Sequence, residues 1–377
     1  MLARQISYTA FRNLHQQTLQ LDSGINILCG ENAQGKTNAL EGLYLFAAPH
    51  SFRPAREREM ICFNQPQAKL KLEYQTQRQP RQQSLEITLF ANAPKKLRAD
   101  GVAIAKAKDF YGAFHAVLFC PEHLYLIQGA PATRRLFLDG AISQLRVSYA
   151  YSLSMYQQLL RQKNALLKSE KTEIQRKRTL CEILNQQMAP HAQRIAQARV
   201  KYLFAAEEYV CAFMRTLSAD TEQIRMVYER EGIPCTQEQQ CSAELFYQAS
   251  MKNMEREFAA RTCLSGVHRD DFAVYVNDRP ARLYCSQGQD RSLALALKLA
   301  EGELSKRQSG EYPVFLFDDV LSELDKRRRG FLHEALAEKQ VVMSCCESPA
   351  AMRAEYGTES SIWLVQNGTF LQTAHTE

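Results

Sequence analysis

The sequence predicts an α/β fold that is divided by a long helical insertion. Near the start of the chain, a short apolar strand, Ile25–Cys29, leads into a glycine-containing loop and then a helix. Near the end, a second apolar strand, Val314–Phe317, leads into two aspartates. Between them, residues 143–217 lack glycine and carry apolar residues at helical spacing. We therefore expect one α/β domain whose two halves are separated in sequence by helices.

Length and composition are those of a folded protein with two or three structural units. The chain has 377 residues, of which 45% are apolar, and its net charge of +6 (47 basic minus 41 acidic residues) is mild. The eleven cysteines are odd in number and form no C-x-x-C pair, which fits neither a disulfide framework nor a zinc ribbon. With no export signal and no apolar run of about 18 residues, we expect a cytoplasmic protein without a membrane segment.

The first 120 residues are expected to be mainly strands with one early helix. Asn38–Ala48 reads as that helix, which Pro49 would end. Two alternating runs, 70–74 and 85–89, each have one apolar face and are interpreted as strands. Asp100-Gly101 marks a turn.

The middle third predicts a helical hairpin. Residues 149–167 form its first arm, and the second arm carries an apolar stripe that steps by four or three residues. The stripe consists of Leu180, Leu184, Met188, His191, Ile195, Ala198 and Tyr202. Pro190 lies within it and is expected to kink or split the helix.

The last third returns to mixed α/β structure. Phe272–Val276 alternates as a strand, Ser292–Ser305 is helical, and Val341–Met343 is a further apolar strand. Asn367-Gly368 is a strong signal for a two-residue β-hairpin.

The loop Gly30-Glu31-Asn32-Ala33-Gln34-Gly35-Lys36-Thr37 matches G-x-x-x-x-G-K-[ST], the Walker A phosphate loop. Its glycines let backbone N–H groups turn towards phosphate oxygens, Lys36 supplies a point charge for the β- and γ-phosphates, and the Thr37 hydroxyl can bind Mg²⁺. A strand precedes the loop and a helix follows it, which is the context the motif requires. The sequence therefore predicts nucleotide binding.

Asp318 and Asp319 follow the apolar strand Val314–Phe317, which is the arrangement of a Walker B motif. Asp318 would hold Mg²⁺, directly or through water, and Asp319 would position or deprotonate the attacking water. A strand that simply ends in a polar turn is the alternative, and the phosphate loop favours the functional interpretation.

A second anion-binding segment is predicted at Ser286-Gln287-Gly288-Gln289, directly before a helix with leucines on several faces. An ordinary capped turn would explain the segment in isolation. Because the Walker A loop already covers one set of phosphates, the second segment suggests contact with the nucleotide of a second subunit.

These motifs, in this order and split by a helical insertion, resemble the ABC-type ATPases of the SMC group and, more closely, the RecF family of bacterial recombination mediators. The resemblance runs nearly end to end. Besides the motifs above, it includes Phe11-Arg12-Asn13, Ser51-Phe52-Arg53, Pro121-Glu122, Arg134-Arg135, residues 164–168, His268-Arg269-Asp270-Asp271 and Ser322-Glu323-Leu324-Asp325.

The resemblance implies an ABC/SMC-type P-loop ATPase head, with a mixed sheet plus an antiparallel β layer, over residues 1–120 and 265–377. Residues 121–264 would form the helical insertion, a lid or DNA-contact domain. It further implies an ATP- and Mg²⁺-dependent, DNA-binding, weakly ATP-hydrolysing protein that dimerises head to tail on ATP. Such proteins act at gapped or stalled replication forks and in the SOS response, and promote recombinase loading with RecR and RecO.

The resemblance also assigns residues. Arg12 and Asn13 would join Gly30–Thr37 in nucleotide binding, Lys36 and Asp319 would serve hydrolysis, and Thr37 and Asp318 would bind Mg²⁺. Ser286–Gln289 would contact ATP held by the other protomer, and Ser322 and Asp325 would belong to a dimer loop.

Two positions depart from related ATPases. Asp319 stands where most ABC ATPases carry glutamate, and this shorter acid is consistent with slow hydrolysis. Ser344-Cys345-Cys346 stands where threonines are usual, and cysteine is a poor hydrogen-bond donor to phosphate. Only Ser344 therefore remains a candidate sensor of the γ-phosphate.

Residues 161–180 contain seven basic and two acidic side chains, a local charge of +5. Such a helical tip can bind DNA phosphates without sequence preference, and a solvated helix–loop face is the alternative. The DNA-contact candidates are Lys163, Lys168, Arg176, Lys177, Arg178, Arg134 and Arg135. Lys171 belongs to the same cluster. Two further groups of basic residues have open interpretations. Arg53, Arg56 and Arg58 are equally consistent with ATP sensing and with DNA contact. His268-Arg269 is consistent with orienting a structural carboxylate.

Two rival functions follow from the same motifs. A nucleotide-bound scaffold that recruits repair proteins would need no substantial DNA affinity. The ATPase subunit of a membrane transporter shares the Walker motifs, but it is expected to carry LSGGQ as its signature segment, where this chain has Ser286-Gln287-Gly288-Gln289, and to lack a basic insertion of this length.

Overall fold

The computed structural model describes residues 1–48, 50–105, 110, 112–170, 173–218 and 222–373. The chain divides into two compact units, one formed by Met1–Leu124 with Leu297–Glu377 and the other by Tyr125–Ala296.

The first unit contains a six-stranded mixed sheet. In spatial order its strands are β16 (Thr369–Gln372), β15 (Ser361–Gln366), β3 (Ile25–Cys29), β14 (Val341–Cys345), β13 (Val314–Asp318) and β8 (Ala116–Phe119). All neighbours pair in parallel except β15 and β16, which form the hairpin expected at Asn367-Gly368. The carboxyl ends of β3, β14 and β13 therefore meet at one edge of this sheet, where ligands bind in α/β proteins.

A second, antiparallel sheet completes the β structure of this unit. In spatial order its strands are β2 (Leu14–Gln20), β1 (Leu2–Phe11), β4 (Gln67–Gln75), β5 (Gln83–Phe90), β6 (Lys96–Ala99) and β7 (Val102–Ile104). Helix α1 (Lys36–Tyr44) shares one buried core with both sheets, including Ile6, Leu40, Leu70 and Leu316. The mixed sheet with an antiparallel β layer is thus confirmed.

The remaining helices of the first unit are α8 (Lys326–Leu336), α9 (Pro349–Tyr356) and the second half of α7 (Gln287–Ser309), within which the division between the units falls. Helix α1 ends at Tyr44, earlier than the expected Ala48. Pro49, which we expected to end it, lies outside the described residues.

The second unit is mainly helical. Its helices are α2 (Pro131–Leu145), α3 (Val147–Lys168), α4 (Ile174–Ser218), α5 (Ala243–Ala260), α6 (Ala281–Tyr284) and the start of α7. Its antiparallel sheet consists of β10 (Ile233–Cys235), β9 (Ile224–Arg230), β11 (Asp271–Val276) and β12 (Arg279–Pro280). Because β11 pairs with β9, residues 265–296 lie in this unit. Their functional grouping with the ATPase head stays a prediction.

The expected helical hairpin is present as α3 and α4. Of the two outcomes expected at Pro190, a kink or a split, the split does not occur. Helix α4 continues through Pro190, which is exposed, so water can bond the carbonyl that proline leaves without an N–H partner. Buried residues on both sides of it, Met188 and Ala192 among them, anchor the helix through packing. None of the helices in the described part of the chain has both the length and the apolar character needed to cross a bilayer.

Candidate nucleotide-binding site

The phosphate loop joins β3 to α1 with a backbone that only glycine tolerates at two points. Gly30 has a φ of 148° and Gly35 a φ of 118°. A Cβ at Gly30 would lie 2.5 Å from the carbonyl oxygen of Val365. Helix α1 begins at Lys36, immediately after Gly35, so its unpaired N-terminal N–H groups and dipole favour an anion at the loop.

Lys36 places its positive charge inside this loop. Its ammonium donates to the carbonyl oxygen of Gly30 and, at 2.8 Å, to that of Glu31. Only 6% of the residue is exposed. A lysine held in this way presents a partly desolvated charge, whose attraction for phosphate is stronger than that of a lysine in bulk water.

Thr37 and Asp318, the two residues assigned to Mg²⁺, meet at the carboxyl edge of the sheet. The Thr37 hydroxyl donates to Asp318 Oδ1 at 2.9 Å, and the Ser344 hydroxyl donates to the same oxygen at 2.8 Å. Burial raises the pKa of Asp318, and the hydrogen bonds from Ser344 and Thr37 oppose that rise. Among the described residues no group of three or more His, Cys, Asp or Glu side chains could bind a metal. A hydroxyl and a carboxylate nevertheless suit Mg²⁺, which takes few protein ligands when it is bound with phosphates.

Asp319 sits beside this pair in a left-handed backbone conformation, with a φ of 51°. Its N–H donates to the Ser344 hydroxyl at 3.0 Å, so one serine positions both Walker B residues. Burial raises the pKa of Asp319, and the nearby charge of Lys36 acts against this. A carboxylate with a raised pKa is a better general base near neutral pH.

Strand β14 and the residue that follows it contribute thiols to the same edge. Cys346 Sγ lies 3.1 Å from Asn32 Oδ1 and 3.5 Å from the Lys36 ammonium, and Cys345 lies next to Cys29 of β3 with 3.6 Å between their sulfurs. Ser344, the candidate sensor, is engaged with Asp318, whereas Cys346 touches the loop itself. The role of Ser344 as γ-phosphate sensor stays a prediction.

Asn13 braces the phosphate loop from outside. Its side chain donates to the Gln34 carbonyl oxygen at 3.1 Å, and the N–H of Gly368 donates to the same oxygen at 2.8 Å. Asn38 of α1 donates to Asn13 Oδ1 at 2.7 Å. The β15–β16 hairpin and the segment after β1 therefore fix the centre of the loop, a role that no local motif reveals.

A buried carboxylate that sequence reasoning missed lies on α1 itself. Glu41 is fully buried and accepts two hydrogen bonds from Arg12, at 2.9 and 2.7 Å. It also pairs with Arg53 and accepts from Ser51. Burial alone would raise the pKa of Glu41, but the hydrogen bonds from Arg12, Arg53 and Ser51 outweigh burial and lower it. Its signal in the sequence is a lone acid in the apolar run Ala39–Leu43.

Arg12 and Arg53 are thus tied to a structural carboxylate, and their nucleotide or DNA roles stay predictions. Arg12 also donates to the Glu59 carbonyl oxygen at 2.8 Å, and Arg53 donates to Asn38 Oδ1 at 2.6 Å. Arg56 and Arg58, the other two members of that basic group, are exposed.

We expect Glu41→Gln to lower the free energy of unfolding by about 3 kcal/mol, because it leaves two guanidinium groups without a buried counter-charge. For a unit of this size the melting temperature should fall by roughly 6–12 °C. Since the folded pKa lies below the ordinary value of 4.5, the charge contributes stability above that pH. This contribution is lost as the pH falls through the folded pKa.

The measurement is thermal unfolding of both proteins between pH 7 and pH 3. Glu86→Gln is the matched control, since Glu86 pairs with Lys69 at 3.3 Å on a partly exposed strand surface and should contribute less than about 1 kcal/mol. Equal shifts for the two variants would show that the Glu41 cluster is not a structural support.

The segment Ser286–Gln289 caps helix α7. The N–H of Gln289 donates to the Ser286 hydroxyl at 3.3 Å, and the N–H of Ser286 donates to Gln289 Oε1 at 2.8 Å, which is a reciprocal capping box. Gln289 also donates to Glu222 at 2.6 Å. Ser286 and Gln287 are exposed, so this cap is open to a ligand, and contact with a partner's nucleotide stays a prediction.

The predicted dimer loop follows Asp319 directly. Ser322 donates to the Asp319 carbonyl oxygen at 3.0 Å, and Asp325 caps α8 by accepting from the N–H of Arg328 at 2.9 Å. Both residues are exposed. The loop is therefore built onto the Walker B turn, and its role between protomers is untested.

The structure corrects two of the DNA-contact candidates. Lys163 is fully buried and pairs with Glu257 at 2.7 Å. Arg134 is also buried, with two hydrogen bonds to Asp271 at 2.8 and 2.7 Å and further bonds to backbone carbonyls. Neither can reach a phosphate in this structure, because each charge is already neutralised inside the fold.

The other candidates lie closer to solvent. Lys168, Arg176 and Arg178 are exposed and Lys177 is half-buried, while Arg178 pairs with Glu255 at 2.6 Å. Arg135 is half-buried and donates to the Asp270 carbonyl oxygen at 2.7 Å. Lys171 lies outside the described residues.

Known proteins match this chain over nearly its whole length. A family model described as "RecF/RecN/SMC N terminal domain" matches residues 2–367. The chain is 33% identical over 371 residues to "DNA replication and repair protein RecF" of Geobacillus thermodenitrificans, covering 98% of this chain and 99% of the relative. It is 34% identical to the protein of that name from Halalkalibacterium halodurans, with the same coverage.

Solved structures agree with the sequence matches. A structure of the recombination mediator protein described as "RecF-ATP in RecFOR pathway" superposes with a TM-score of 0.88 at 28% identity, covering 99% of this chain and 97% of that one. A second, described as "RecF-ATPrS", gives the same TM-score at 27% identity and covers 99% and 98%. An SMC head bound to the C-winged helix domain of ScpA shares the fold, with a TM-score of 0.57 at 13% identity and coverage of 100% and 98%.

Proposed function

Because this chain belongs to the RecF/RecN/SMC family, and within it to the DNA replication and repair proteins RecF, we propose that it is an ATP-controlled clamp on DNA. ATP joins two protomers, the dimer binds gapped or junction DNA without sequence preference, and hydrolysis releases it. In this role it promotes recombinase loading together with RecR, and with RecO, in the cytoplasm, at stalled replication forks and in the SOS response. The chain has the fold of an ABC-type ATPase; slow, DNA-stimulated hydrolysis is part of the proposal.

One observation carries the proposal: the convergence of Lys36, Thr37, Asp318 and Asp319 at one sheet edge. A desolvated ammonium, a helix N-terminus, a hydroxyl and a carboxylate together fit a nucleoside triphosphate with its cation. Mg²⁺ would be held by Thr37 and Asp318 and would neutralise phosphate charge as it develops.

Dimerisation is supported by the exposed signature cap. Ser286 lies at an exposed N-terminus of α7, where a phosphate would find a hydroxyl and backbone N–H groups. The Walker A loop carries its own lysine and helix N-terminus, so a second anion site on the same chain suits ATP that is bound by a partner. ATP then acts by binding the paired state better than single protomers, and that difference in affinity limits the shift.

The scaffold and transporter alternatives have less support. The exposed cations at the α3–α4 tip, among them Lys168 and Arg176, favour a polyanion over a purely protein partner. No spanning helix occurs in the part of the chain that is described, and the signature here is Ser286-Gln287-Gly288-Gln289 rather than LSGGQ.

Light scattering tests the proposal. We expect wild-type protein to double in mass with Mg-ATP and to bind gapped duplex with a steep salt dependence. Ser286→Arg should bind ATP as the wild type does but stay monomeric. The bulky arginine side chain would block the segment that is proposed to contact the phosphate of ATP bound by the partner. The association constant of the ATP-bound dimer should fall by more than about 100-fold, which corresponds to about 2.8 kcal/mol.

Arg307→Ser, a change at the other end of α7, controls for altered charge on the same helix and should dimerise normally. A wild-type chain that binds ATP and stays monomeric would contradict the clamp. Dimers with negligible DNA affinity would instead support the scaffold.

A further inference from the structure

A basic groove lies on the outer face of α5, in the second unit. Its cavity has a volume of about 600 Å³ and is lined by residues of α5, of the β9–β10 turn and of the segment before β11. Four lining side chains are basic, namely Arg230, Lys252, Arg256 and Arg269, against one acid, Glu231. None of these four belongs to the cluster that sequence analysis selected.

The four cations carry no ion pair with any residue that the structure describes. Arg256 donates to Asn253 Oδ1 at 3.1 Å, Arg269 to the Cys263 carbonyl oxygen at 3.3 Å, and Arg230 to the Gln240 carbonyl oxygen at 3.0 Å. All three partners are neutral. Like charges around a concave surface raise its positive potential, and a bound anion relieves their repulsion.

The groove follows a regular helical face. Leu245, Gln248, Ala249, Lys252, Asn253 and Arg256 recur at three- or four-residue spacing along α5, so they share one side. The helix makes eleven rises of about 1.5 Å between Leu245 and Arg256, a span of about 16 Å, which is roughly five nucleotide steps of about 3.4 Å each. The two amides, Gln248 and Asn253, add neutral donors between the charges.

The face also adjoins the predicted DNA-contact tip. Glu255, next to Arg256, pairs with Arg178 of α4, and Arg261 just after α5 pairs with Glu170 beyond α3. The end of α5 is therefore attached to the tip that carries Lys168 and Arg176. The opposite side of α5 is used for packing, where Met251, Met254 and Phe258 contact Leu167 and Cys181.

We propose that this groove binds the phosphodiester backbone of DNA, with Lys252 and Arg256 as phosphate contacts and Arg230 and Arg269 closing the far side. The inference deepens the proposed function and rests on it, because it supplies a defined surface for the DNA contact. The contacts we propose are to phosphate groups, which are the same at every nucleotide, so binding in this groove should not depend on base identity.

The test is binding of gapped duplex by the full chain carrying Lys252→Gln and Arg256→Gln together. Both side chains are exposed and glutamine suits a helix, so the fold should be preserved. The slope of log K against log salt should fall by roughly 2, about 0.9 for each lost contact, equally for different DNA sequences. The doubling of mass on addition of Mg-ATP, measured by light scattering, should be the same as in the wild type.

Arg194→Gln with Arg215→Gln is the matched control, because it removes two exposed charges of α4 that do not line the groove. A double variant at α5 with the wild-type slope would overturn the inference while leaving the proposed function intact. A wild type without DNA affinity would overturn both. If binding of poly-glutamate falls while DNA binding is unchanged, the groove binds acidic polypeptide and the inference is wrong.

Discussion

Lys36→Ala is expected to abolish ATP binding and ATP-dependent pairing together. The ammonium donates to the carbonyl oxygens of Gly30 and Glu31 and lies 3.5 Å from Cys346. Its removal therefore eliminates the positive charge of the phosphate loop and the hydrogen bonds that stabilise the loop. Loss of a desolvated charge opposite phosphate should weaken binding by about 100-fold or more. Titration with a fluorescent ATP analogue measures the loss, and light scattering follows the pairing.

Lys69→Ala is the matched control, since Lys69 is an exposed lysine of the same unit on β4. It should bind and dimerise as the wild type does. Retained affinity in Lys36→Ala would mean that phosphate does not occupy this loop. Lost affinity with intact ATP-dependent dimers would separate the two processes that the clamp joins.

The parts of the fold that were predictable are those with local signals. Ile25–Cys29 and Val314–Phe317 are short apolar runs bounded by polar motifs, and both are strands of the central sheet. Asn367-Gly368 has both residues at positive φ, at 47° and 76°, which is the backbone that a two-residue hairpin requires. Such patterns depend only on neighbouring residues, so the sequence displays them directly.

Contacts between distant segments were not predictable. Glu41 acquires its partners Arg12 and Arg53 only when the segment after β1 and the loop after α1 pack around α1. Helix α4 passes through Pro190 because packing and solvent exposure offset a local preference. In both cases contacts between segments that are distant in sequence determine the local structure, and the sequence alone does not show these contacts.

The positions of basic residues in the sequence also did not show which of them are exposed on the candidate DNA surface. Lys163 and Arg134 look identical in sequence to Lys168 and Arg135, yet the first two are buried against Glu257 and Asp271. Counting basic residues in a window cannot separate a solvated cation from a buried ion pair. The groove on α5 escaped that count because its four cations come from three separate segments of the chain.

The sequence motifs grouped the Walker A and Walker B residues into one predicted site, but the hydrogen bonds that link them could not be predicted. Ser344 was expected to sense the γ-phosphate, and the structure shows it bonding both Walker B residues, through Asp318 Oδ1 and the N–H of Asp319. A movement of β14 would therefore displace Asp318, the proposed cation ligand, and Asp319, the candidate base, together. This arrangement makes Asp319 the most informative single position for separating ATP binding from hydrolysis.

Asp319→Asn is expected to bind ATP normally and to hydrolyse it at least about 100-fold more slowly, which is the usual contribution of a general base. Asparagine matches aspartate in shape and tolerates the left-handed backbone seen here, at a φ of 51°, so the fold and the bond to Ser344 should persist. Without hydrolysis the ATP-bound dimer should accumulate, because its release step is missing. Single-turnover hydrolysis and light scattering over time measure the two effects.

Glu359→Gln removes an exposed carboxylate of the same unit and should hydrolyse ATP at the wild-type rate, which controls for lost negative charge. A monomeric Asp319→Asn protein with ATP bound would contradict the idea that the nucleotide holds two protomers together. Normal hydrolysis in that variant would move the base elsewhere, and the thiol of Cys346 beside Lys36 would then be the next residue to substitute. Slow hydrolysis with trapped dimers is the one combination that places Asp319 at the step converting ATP-driven association into release.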